Sequence, residues 1–179
     1  MSPILSRRRV LAGGGAFFIA GSAGRALATP LESVRKIAFD CLHTGEKLAV
    51  EYWDSGRYLP DAMTAVNRAL RDFRTGDIHP IAPGLLDLLS RLHEKLGSHE
   101  PFQVISGYRS PRTNAMLHEH SSGVASRSLH MQGMAIDIRL AGTALSNLRG
   151  AALALKAGGV GYYPSSDFVH VDVGRVRRW

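Results

Sequence analysis

A histidine and an aspartate of metal-binding type, His130 and Asp137, lie close together in the stretch SLHMQGMAID. A second histidine, His170, follows later in the stretch FVHVDV. Two histidines and one carboxylate are a ligand set that zinc accepts, and three protein ligands leave the fourth position for water, as in catalytic zinc sites. The spacing alone is a loose pattern that does not establish a metal site. A lone histidine on a strand is usually a surface residue, and Asp137 could instead form a salt bridge with Arg139 or Arg109.

Strand patterns place these residues on one face of a predicted sheet. In GMAIDIRL, the isoleucines share one face and Asp137 lies on the other. In FVHVDV, the valines form one face, and His170 and Asp172 lie on the opposite face. We therefore expect Asp137 and His170 on rigid strand positions, with His130 on the loop that enters the first of these strands.

The rest of the chain mixes short strands with helices. Apolar spacing and capping residues predict four helices, in LPDAMTAVNRALRDFRTG, APGLLDLLSRLHEKLG, SPRTNAMLHEH and ALSNLRGAALALKAGG. Alternation predicts a β-hairpin in KIAFDCLHTGEKLAVEYW and further strands in FQVISGY and VGYY. Because there is no βαβ rhythm, the sequence predicts an α+β fold, a single domain with a mostly antiparallel sheet flanked by helices.

Residues 1–28 are predicted to be a cleaved export signal. Arg7, Arg8 and Arg9 precede an apolar, glycine-rich run, and the Ala-Leu-Ala at the end of this segment is the small-x-small pattern that signal peptidase cuts. SRRRVL resembles the twin-arginine motif, which directs folded proteins to export. The alternative is an uncleaved membrane anchor, but the apolar run, 10–23, is shorter than the about 20 apolar residues of a spanning helix.

Charge and cysteine content narrow the function classes. The net charge is +7, but the leader holds four of the 22 basic residues, which leaves 18 basic against 15 acidic residues and a net charge of +3. Nucleic acid is not expected as a partner, since the protein is predicted to be exported and its sequence shows no aromatic and basic platform. The single cysteine, Cys41, cannot form a disulfide within the chain and is expected to be a buried strand residue.

Three sequence blocks occur in an order typical of one peptidase superfamily. They are SGYRSPRTN (106–114), SLHMQGMAID (128–137) and GVGYYPSSDFVHVDVG (159–174). Together they resemble the zinc peptidases of the D-Ala-D-Ala carboxypeptidase and hedgehog-type superfamily. Within it, the leader, the LHTGE hairpin and the RRW ending look like the murein endopeptidase K group, and the resemblance extends over nearly all of residues 29–179.

The resemblance implies a zinc peptidase domain in residues 29–179, with one Zn²⁺ bound by His130, Asp137 and His170. It implies hydrolysis of peptide cross-links in peptidoglycan, so the partners would be peptidoglycan peptide stems in the periplasm. It also implies that Arg109, in SGYRS, binds or polarises the scissile carbonyl, which agrees with the way a fixed guanidinium stabilises a developing oxyanion. The alternative for Arg109 is a purely structural ion pair.

Other site residues are predicted to assist. Several relatives place an acidic residue three positions before the last histidine, where this chain has Asp167, so Asp167 is the expected general base that takes the water proton. The alternative is that PSSD is an ordinary turn, in which aspartate is common. Ser128 is expected to orient the site through its hydroxyl, and Asp172 to support the ligand His170. Three tyrosines are expected to line the substrate cleft: Tyr108, Tyr162 and Tyr163.

Two other functions compete with hydrolysis. A zinc-bearing module could hold cell-wall peptides without cutting them, as hedgehog-type relatives keep the metal and lose hydrolysis, and an exported structural protein would need no metal. The open metal position and Asp167 favour the enzyme. We expect a monomer or weak dimer with no lasting membrane anchor. Both D-alanyl–diaminopimelate and diaminopimelate–diaminopimelate bonds are candidate substrates, and the family grouping favours the second.

Overall fold

The computed structural model describes residues 34–120 and 125–179, so the predicted leader lies outside the described residues. Four helices are described, α1 (Pro60–Ala69), α2 (Pro83–Leu96), α3 (Pro111–His120) and α4 (Leu145–Leu155). Eight strands are described, β1 (Arg35–Cys41), β2 (Lys47–Asp54), β3 (Arg57–Tyr58), β4 (Phe102–Ser106), β5 (Ala135–Leu140), β6 (Gly159–Tyr163), β7 (Phe168–Asp172) and β8 (Arg177–Arg178). None of these helices is long and apolar enough to cross a membrane.

The eight strands form one sheet in the order β3-β2-β1-β4-β5-β7-β6-β8. Five of the seven neighbouring pairs are antiparallel, and the parallel pairs are β1 with β4 and β6 with β8. The predicted α+β domain with a mostly antiparallel sheet is therefore confirmed. The predicted hairpin is also confirmed, since β1 and β2 pair along their length.

Helices α2 and α4 pack against each other and against strands of the sheet. The core between them is formed by almost fully buried apolar side chains, among them Phe39, Leu85, Leu89, Ile136, Ile138, Leu148, Val169 and Val171. Successive residues of a strand point to opposite faces. Because β5 and β7 turn their isoleucines and valines to this core, Asp137 and His170 lie on the other face, as the alternation predicted.

Helix α1 is shorter than the sequence predicted, since it ends at Ala69 and does not run to Gly76. The segment that follows folds around Asp72, whose carboxylate accepts hydrogen bonds from the backbone amides of Arg74 at 2.9 Å and Ser110 at 2.8 Å. A short side chain that bonds to nearby backbone competes with the helix. Here the same carboxylate ties the end of α1 to the start of α3, a tertiary contact that helical spacing does not reveal.

Helix α4 also ends earlier than predicted, at Leu155 rather than at the glycine pair 158–159. Lys156 follows in the left-handed conformation with φ of 50°. Gly158 passes the backbone carbonyl of Asp172 so closely that a Cβ would clash with it. The glycines therefore serve the passage of the chain into β6 rather than the end of the helix.

Cys41 is buried at the end of β1, as predicted. Its Sγ lies 3.4 Å from the carbonyl oxygen of Ala69, and burial raises the pKa of the thiol to about 11. A thiol with such a pKa is protonated at neutral pH and a poor nucleophile. Cys41 thus behaves as a packing residue.

Candidate metal centre and its cavity

The predicted ligands His130, Asp137 and His170 come together in the structure. His130 Nε2 lies 3.1 Å from His170 Nδ1 and 3.2 Å from Asp137 Oδ1, and His170 Nδ1 lies 2.9 Å from the same oxygen. All three side chains are buried. Within residues 34–120 and 125–179, no other group of three or more His, Cys, Asp or Glu side chains converges in this way.

Each of the two histidines has one ring nitrogen that points away from the cluster, and the partner of this nitrogen bears on which tautomer the ring adopts. His130 Nδ1 lies 2.7 Å from the carbonyl oxygen of Gly107, which can only accept, so in the neutral ring Nδ1 carries the proton and Nε2 holds a lone pair. His170 Nε2 lies 3.1 Å from a carboxylate oxygen of Asp172, and Nδ1 lies 2.9 Å from Asp137 Oδ1. In the neutral tautomer that carries its proton on Nε2, Asp172 accepts from this N–H and the lone pair of Nδ1 faces the cluster. In these tautomers two imidazole lone pairs and a carboxylate oxygen converge, which is a ligand set suited to a metal cation.

The donor set fits zinc in type and spacing. Tetrahedral zinc bonds of about 2.0–2.1 Å place neighbouring ligand atoms about 3.3 Å apart. The distances of 2.9, 3.1 and 3.2 Å within the cluster approach that value. A backbone carbonyl or a carboxylate on the outer nitrogen, as Gly107 and Asp172 provide here, is also usual for metal-binding histidines.

A short turn fixes the position of His130. It lies in the 3-10 turn Leu129–Gln132, which begins at Ser128, and the Ser128 hydroxyl accepts a hydrogen bond from the backbone N–H of His130 at 3.4 Å. Gly133 ends the turn with φ of 64°, and a Cβ there would clash with the backbone carbonyl of Pro80. Ser128 thus contacts the backbone of the first predicted ligand, and Gly133 turns the chain toward β5.

Strand pairing fixes the other two ligands. Asp137 and His170 are direct partners in the antiparallel pair of β5 and β7. Side chains of direct partners lie about 4.5–5.5 Å apart at Cβ, which brings a carboxylate and an imidazole into contact. On the other side of β5, the register with β4 shifts so that Ser106 is the partner of Asp137.

The buried cluster shifts the pKa values of its groups. Burial alone would raise the pKa of Asp137, but the adjacent His130 and His170 hold it well below its usual range. Burial would lower the pKa of His170, yet its contacts with Asp137 and Asp172 raise it. Burial also opposes ionisation of Asp172, but His170 and Arg177 lower its pKa. Both carboxylates are therefore ionised at neutral pH.

Asp172 is fully buried and surrounded by donors. Besides its contact with His170, its carboxylate accepts hydrogen bonds from the backbone amides of Gly159 at 3.0 Å and Gly174 at 2.8 Å. Arg177 donates to both carboxylate oxygens, at 2.8 and 3.1 Å. Asp172 thus contacts the imidazole of His170 and is itself fixed by four donors.

Arg109 lies against the cluster. Its Nη2 is 3.4 Å from Asp137 Oδ2, and its backbone N–H donates to the carbonyl oxygen of His130 at 3.2 Å. The side chain is buried, and burial lowers the pKa of the guanidinium although Asp137 opposes this. Its Nε has no hydrogen-bond partner among the described residues. The sequence left two alternatives for Arg109, a structural ion pair and a position beside the metal site. The structure shows both the ion pair with Asp137 and a position beside the cluster.

A cavity of about 430 Å³ adjoins the cluster, and all three predicted ligands and Ser128 contribute to its wall. Three arginines also line it, Arg109, Arg127 and Arg177. Three aromatic residues line it as well, Tyr163, Phe168 and Trp179. A wall that combines aromatic surface with a few charged groups suits a ligand with apolar and anionic parts.

Asp167, the predicted general base, lies outside this arrangement. Its side chain is 62% exposed, and its Oδ2 accepts a hydrogen bond from Arg139 Nη1 at 2.6 Å. Its neighbours Ser166 and Phe168 line the cavity, but Asp167 does not. The offset from the last histidine is correct, but Asp167 has a left-handed φ of 53° at the end of a short turn and its carboxylate is held by Arg139. This corrects the predicted placement.

Tyr108 is also placed differently from the prediction. Its ring stacks on His79 with centroids 4.7 Å apart, and it does not belong to the cavity lining. Its backbone N–H donates to the carbonyl oxygen of Leu70 at 2.7 Å, so this tyrosine packs the segment after α1 beside the site. Of the three tyrosines predicted to line the cleft, Tyr163 does so and Tyr162 does not.

Sequence reasoning missed several cavity residues, among them Arg127, Arg177 and Trp179. The ring of Trp179 lies 5.2 Å from that of His170, and its Nε1 donates to the hydroxyl of Tyr163 at 2.7 Å. Gly161 leaves the space that this ring occupies, since a Cβ there would clash with it. Arg127 lies in a loop, and Arg177 and Trp179 lie in or beside the two-residue strand β8, so none of them belongs to a periodic pattern. For Arg177 and Trp179, the resemblance of the RRW ending was the available signal.

Comparison with known proteins decides the family. The family model described as "Peptidoglycan L,D-endopeptidase MepK" matches residues 29–179, which include the whole cluster and every cavity residue. The chain belongs to the MepK family. The resemblance to the murein endopeptidase K group is thereby confirmed.

Two curated MepK-family proteins show the extent of the similarity. Peptidoglycan L,D-endopeptidase MepK of Escherichia coli (strain K12) is 44% identical over 178 residues, which cover 97% of each chain. A probable peptidoglycan L,D-endopeptidase MepK of Haemophilus influenzae is 40% identical over 146 residues, which cover 81% of this chain and 78% of the relative. Similarity to MepK proteins thus extends over nearly the whole chain.

Proposed function

We propose that this protein is a zinc-dependent peptidoglycan L,D-endopeptidase. The observation that carries the proposal is the convergence of two imidazole lone pairs and one carboxylate at the wall of an open cavity. Three such ligands suit zinc and leave one coordination position for the reaction. The names of relatives at 40% and 44% identity support the reaction and the substrate.

His130, Asp137 and His170 would hold the zinc ion, which when bound lowers the pKa of a water molecule and polarises a carbonyl group. With zinc bound, Gly107 and Asp172 would hold the two histidines in the tautomers that metal binding requires. The burial of all three ligands and their attachment to paired strands and a capped turn hold them in place before substrate binds.

Arg109 would stabilise the negative charge that develops on the scissile carbonyl oxygen. The guanidinium lines the cavity, and its Nη2 lies 3.4 Å from Asp137 Oδ2. A donor that is already fixed costs no reorganisation during the reaction. In this proposal the ion pair with Asp137 holds Arg109 in the position from which it acts.

Proton transfer from the water requires a second acceptor. Among the described cavity-lining residues, Asp137 supplies the only carboxylate, and it is proposed as a ligand. For Asp167 to serve as general base, its carboxylate has to leave Arg139 and turn into the cavity that its neighbours line. This observation favours a second candidate function, a non-catalytic zinc-bearing module that binds cell-wall peptides, because binding needs no proton acceptor.

The L,D designation of the relatives indicates which cross-link is cut. In a diaminopimelate–diaminopimelate cross-link the carbonyl belongs to an L-configured carbon and the nitrogen to a D-configured carbon. In a D-alanyl–diaminopimelate cross-link both carbons are D-configured. We therefore propose the diaminopimelate–diaminopimelate bond as the substrate. The reaction would take place in the periplasm, reached by the twin-arginine route, with the protein as a monomer or weak dimer.

Digestion of purified peptidoglycan sacculi tests the proposal. The wild-type protein and His170→Ala would be incubated with sacculi. His99→Ala serves as the control, because it also removes a histidine, but one that is exposed and does not line the cavity. We expect wild type and the control to convert cross-linked dimers to monomers whose masses identify the bond, and His170→Ala to be inactive. Binding of sacculi without any conversion would support the non-catalytic alternative.

A further inference from the structure

The three arginines that line the cavity differ in their partners. Arg109 lies 3.4 Å from Asp137, and Arg177 donates to both carboxylate oxygens of Asp172 at 2.8 and 3.1 Å. Arg127 is exposed, lines the same cavity, and has no hydrogen-bond or ion-pair partner among the described residues. It is therefore the cavity cation whose charge the described part of the protein leaves uncompensated.

The described lining of the cavity carries more positive than negative charge. Its one carboxylate belongs to Asp137, which already contacts two histidines and Arg109. Arg127 therefore has no free acid in the wall to pair with. A cleft of one charge sign raises the local concentration of ligands of the opposite sign, and a guanidinium binds a carboxylate through two parallel hydrogen bonds.

The backbone of Arg127 is anchored on both sides. The next residue, Ser128, accepts a hydrogen bond from the turn that carries the first predicted ligand. Before it, the side-chain amide of Asn114 donates to the carbonyl oxygens of Ala125 at 3.1 Å and Ser126 at 3.4 Å. The segment that carries Arg127 is thus tied both to α3 and to the turn of His130. An anion bound by Arg127 would therefore lie close to the predicted metal ligands.

We propose that Arg127 binds a free carboxylate of the peptide substrate, on the residue that supplies the nitrogen of the scissile bond. The inference rests on the proposed function. In a diaminopimelate–diaminopimelate cross-link, the D-configured carbon that bears this nitrogen also bears a carboxyl group, so an anion lies next to the bond. Arg127 thereby selects peptides with a free carboxylate at this position over peptides in which it is amidated.

The test compares two cross-linked peptides that differ only in whether this carboxylate is free or converted to a carboxamide. The exported, processed protein would be assayed as wild type, Arg127→Gln and Arg127→Lys, with Arg175→Gln as a control that removes one exposed positive charge outside the cavity lining. For the free carboxylate, we expect Arg127→Gln to raise KM about tenfold with kcat nearly unchanged, because a charge-assisted pair is lost. The KM of Arg127→Lys should lie between those of wild type and Arg127→Gln, since lysine keeps the positive charge but cannot form two parallel hydrogen bonds with a carboxylate.

The amidated peptide separates this role from a general effect of charge or structure. Wild type should cleave it with a KM already raised about tenfold, and Arg127→Gln should raise that KM no further. An equal loss on both peptides in Arg127→Gln, or equal KM values of wild type for both peptides, would overturn the proposal. If wild type cleaves neither peptide, the proposed hydrolysis is wrong. Calorimetry would then measure the Kd of each peptide for the same variants, and Arg127→Gln should weaken binding of the free carboxylate peptide only.

Discussion

His130 and His170 present different nitrogens to the cluster, since His130 turns Nε2 toward it and His170 turns Nδ1. The residue types and the resemblance suggest these residues and Asp137 as ligands, but they could not predict the orientations of the two rings. The partner of His130 is a backbone carbonyl at Gly107, which any residue could supply, and that of His170 is a carboxylate, Asp172, two positions along the same strand. Only the folded arrangement shows which atom each ring turns inward.

Replacing Asp172 by asparagine tests the support of the second histidine. The asparagine keeps the size but loses the charge that holds Nε2 of His170 and receives Arg177. We expect zinc affinity or activity to fall by roughly 10–100-fold, as for other supports of metal-binding histidines. Zinc affinity would be measured by competition with a chelator of known strength, and the fold would be followed by circular dichroism. Unchanged affinity in a folded variant would show that Asp172 has only a packing role.

Replacing Asp167 by alanine tests the general base that the sequence predicted. In the structure this carboxylate is exposed and paired with Arg139. Exposed ion pairs contribute only about 0.2–1 kcal/mol to the free energy of unfolding. Because Asp167 also lies outside the cavity lining, we expect both the stability and kcat/KM to stay nearly unchanged. Arg139→Gln is the matched variant, because it removes the same ion pair from the other side. A much larger fall in kcat in Asp167→Ala than in Arg139→Gln would mean that the carboxylate enters the cavity during the reaction.

At the scale of elements, alternation predicted β5 and β7 and the face on which Asp137 and His170 lie, because burying one face of a strand leaves a period of two in the sequence. The end of α1 could not be predicted in this way. It depends on Asp72, whose partner at Ser110 is remote in sequence. The strand β8 pairs with β6 over two residues only and leaves no pattern, so the position of Trp179 in the cavity was equally hidden.

Replacing Gly133 by alanine tests how the turn and β5 are joined. Gly133 has φ of 64°, and a Cβ would clash with the backbone of Pro80. Gly142, with φ of 72° and nothing within 4 Å of an added Cβ, is the matched control. We expect Gly142→Ala to lower the free energy of unfolding by about 1–2 kcal/mol, from backbone conformation alone.

Gly133→Ala should cost about 1–3 kcal/mol more than the control, because the backbone has to move to relieve the clash. Urea unfolding of both variants measures the difference. Zinc affinity should fall in Gly133→Ala alone, since the displaced turn carries His130. Equal stabilities of the two variants would contradict the close packing of this turn against Pro80.

At the scale of the whole molecule, an enzyme that acts on peptidoglycan has to leave the cytoplasm, and the leader predicted from the sequence would direct this export. The family match begins at residue 29, the residue that follows the predicted leader. The leader lies outside the described residues, so its role stays a prediction. It rests on the arginines of SRRRVL and the Ala-Leu-Ala pattern.

Changing Arg8 and Arg9 together to lysine tests the export route. Lysines keep the positive charge but remove the arginine pair that the twin-arginine pathway recognises. We expect the wild-type protein in the periplasm to begin at Thr29, as shown by its intact mass, and the double variant to remain in the cytoplasm with its leader. Normal export of the double variant would indicate the general secretory route instead.

The proposed function requires that zinc held by His130, Asp137 and His170 is needed for cleavage of peptidoglycan cross-links. The most direct measurement removes metal from the processed protein with a chelator, adds zinc back in steps, and determines bound zinc and cross-link hydrolysis on the same samples. We predict that activity rises in proportion to bound zinc and stops at one equivalent per chain, whereas His170→Ala binds no zinc tightly and stays inactive. Full activity of the metal-free protein, or one tightly bound zinc in His170→Ala, would contradict the claim.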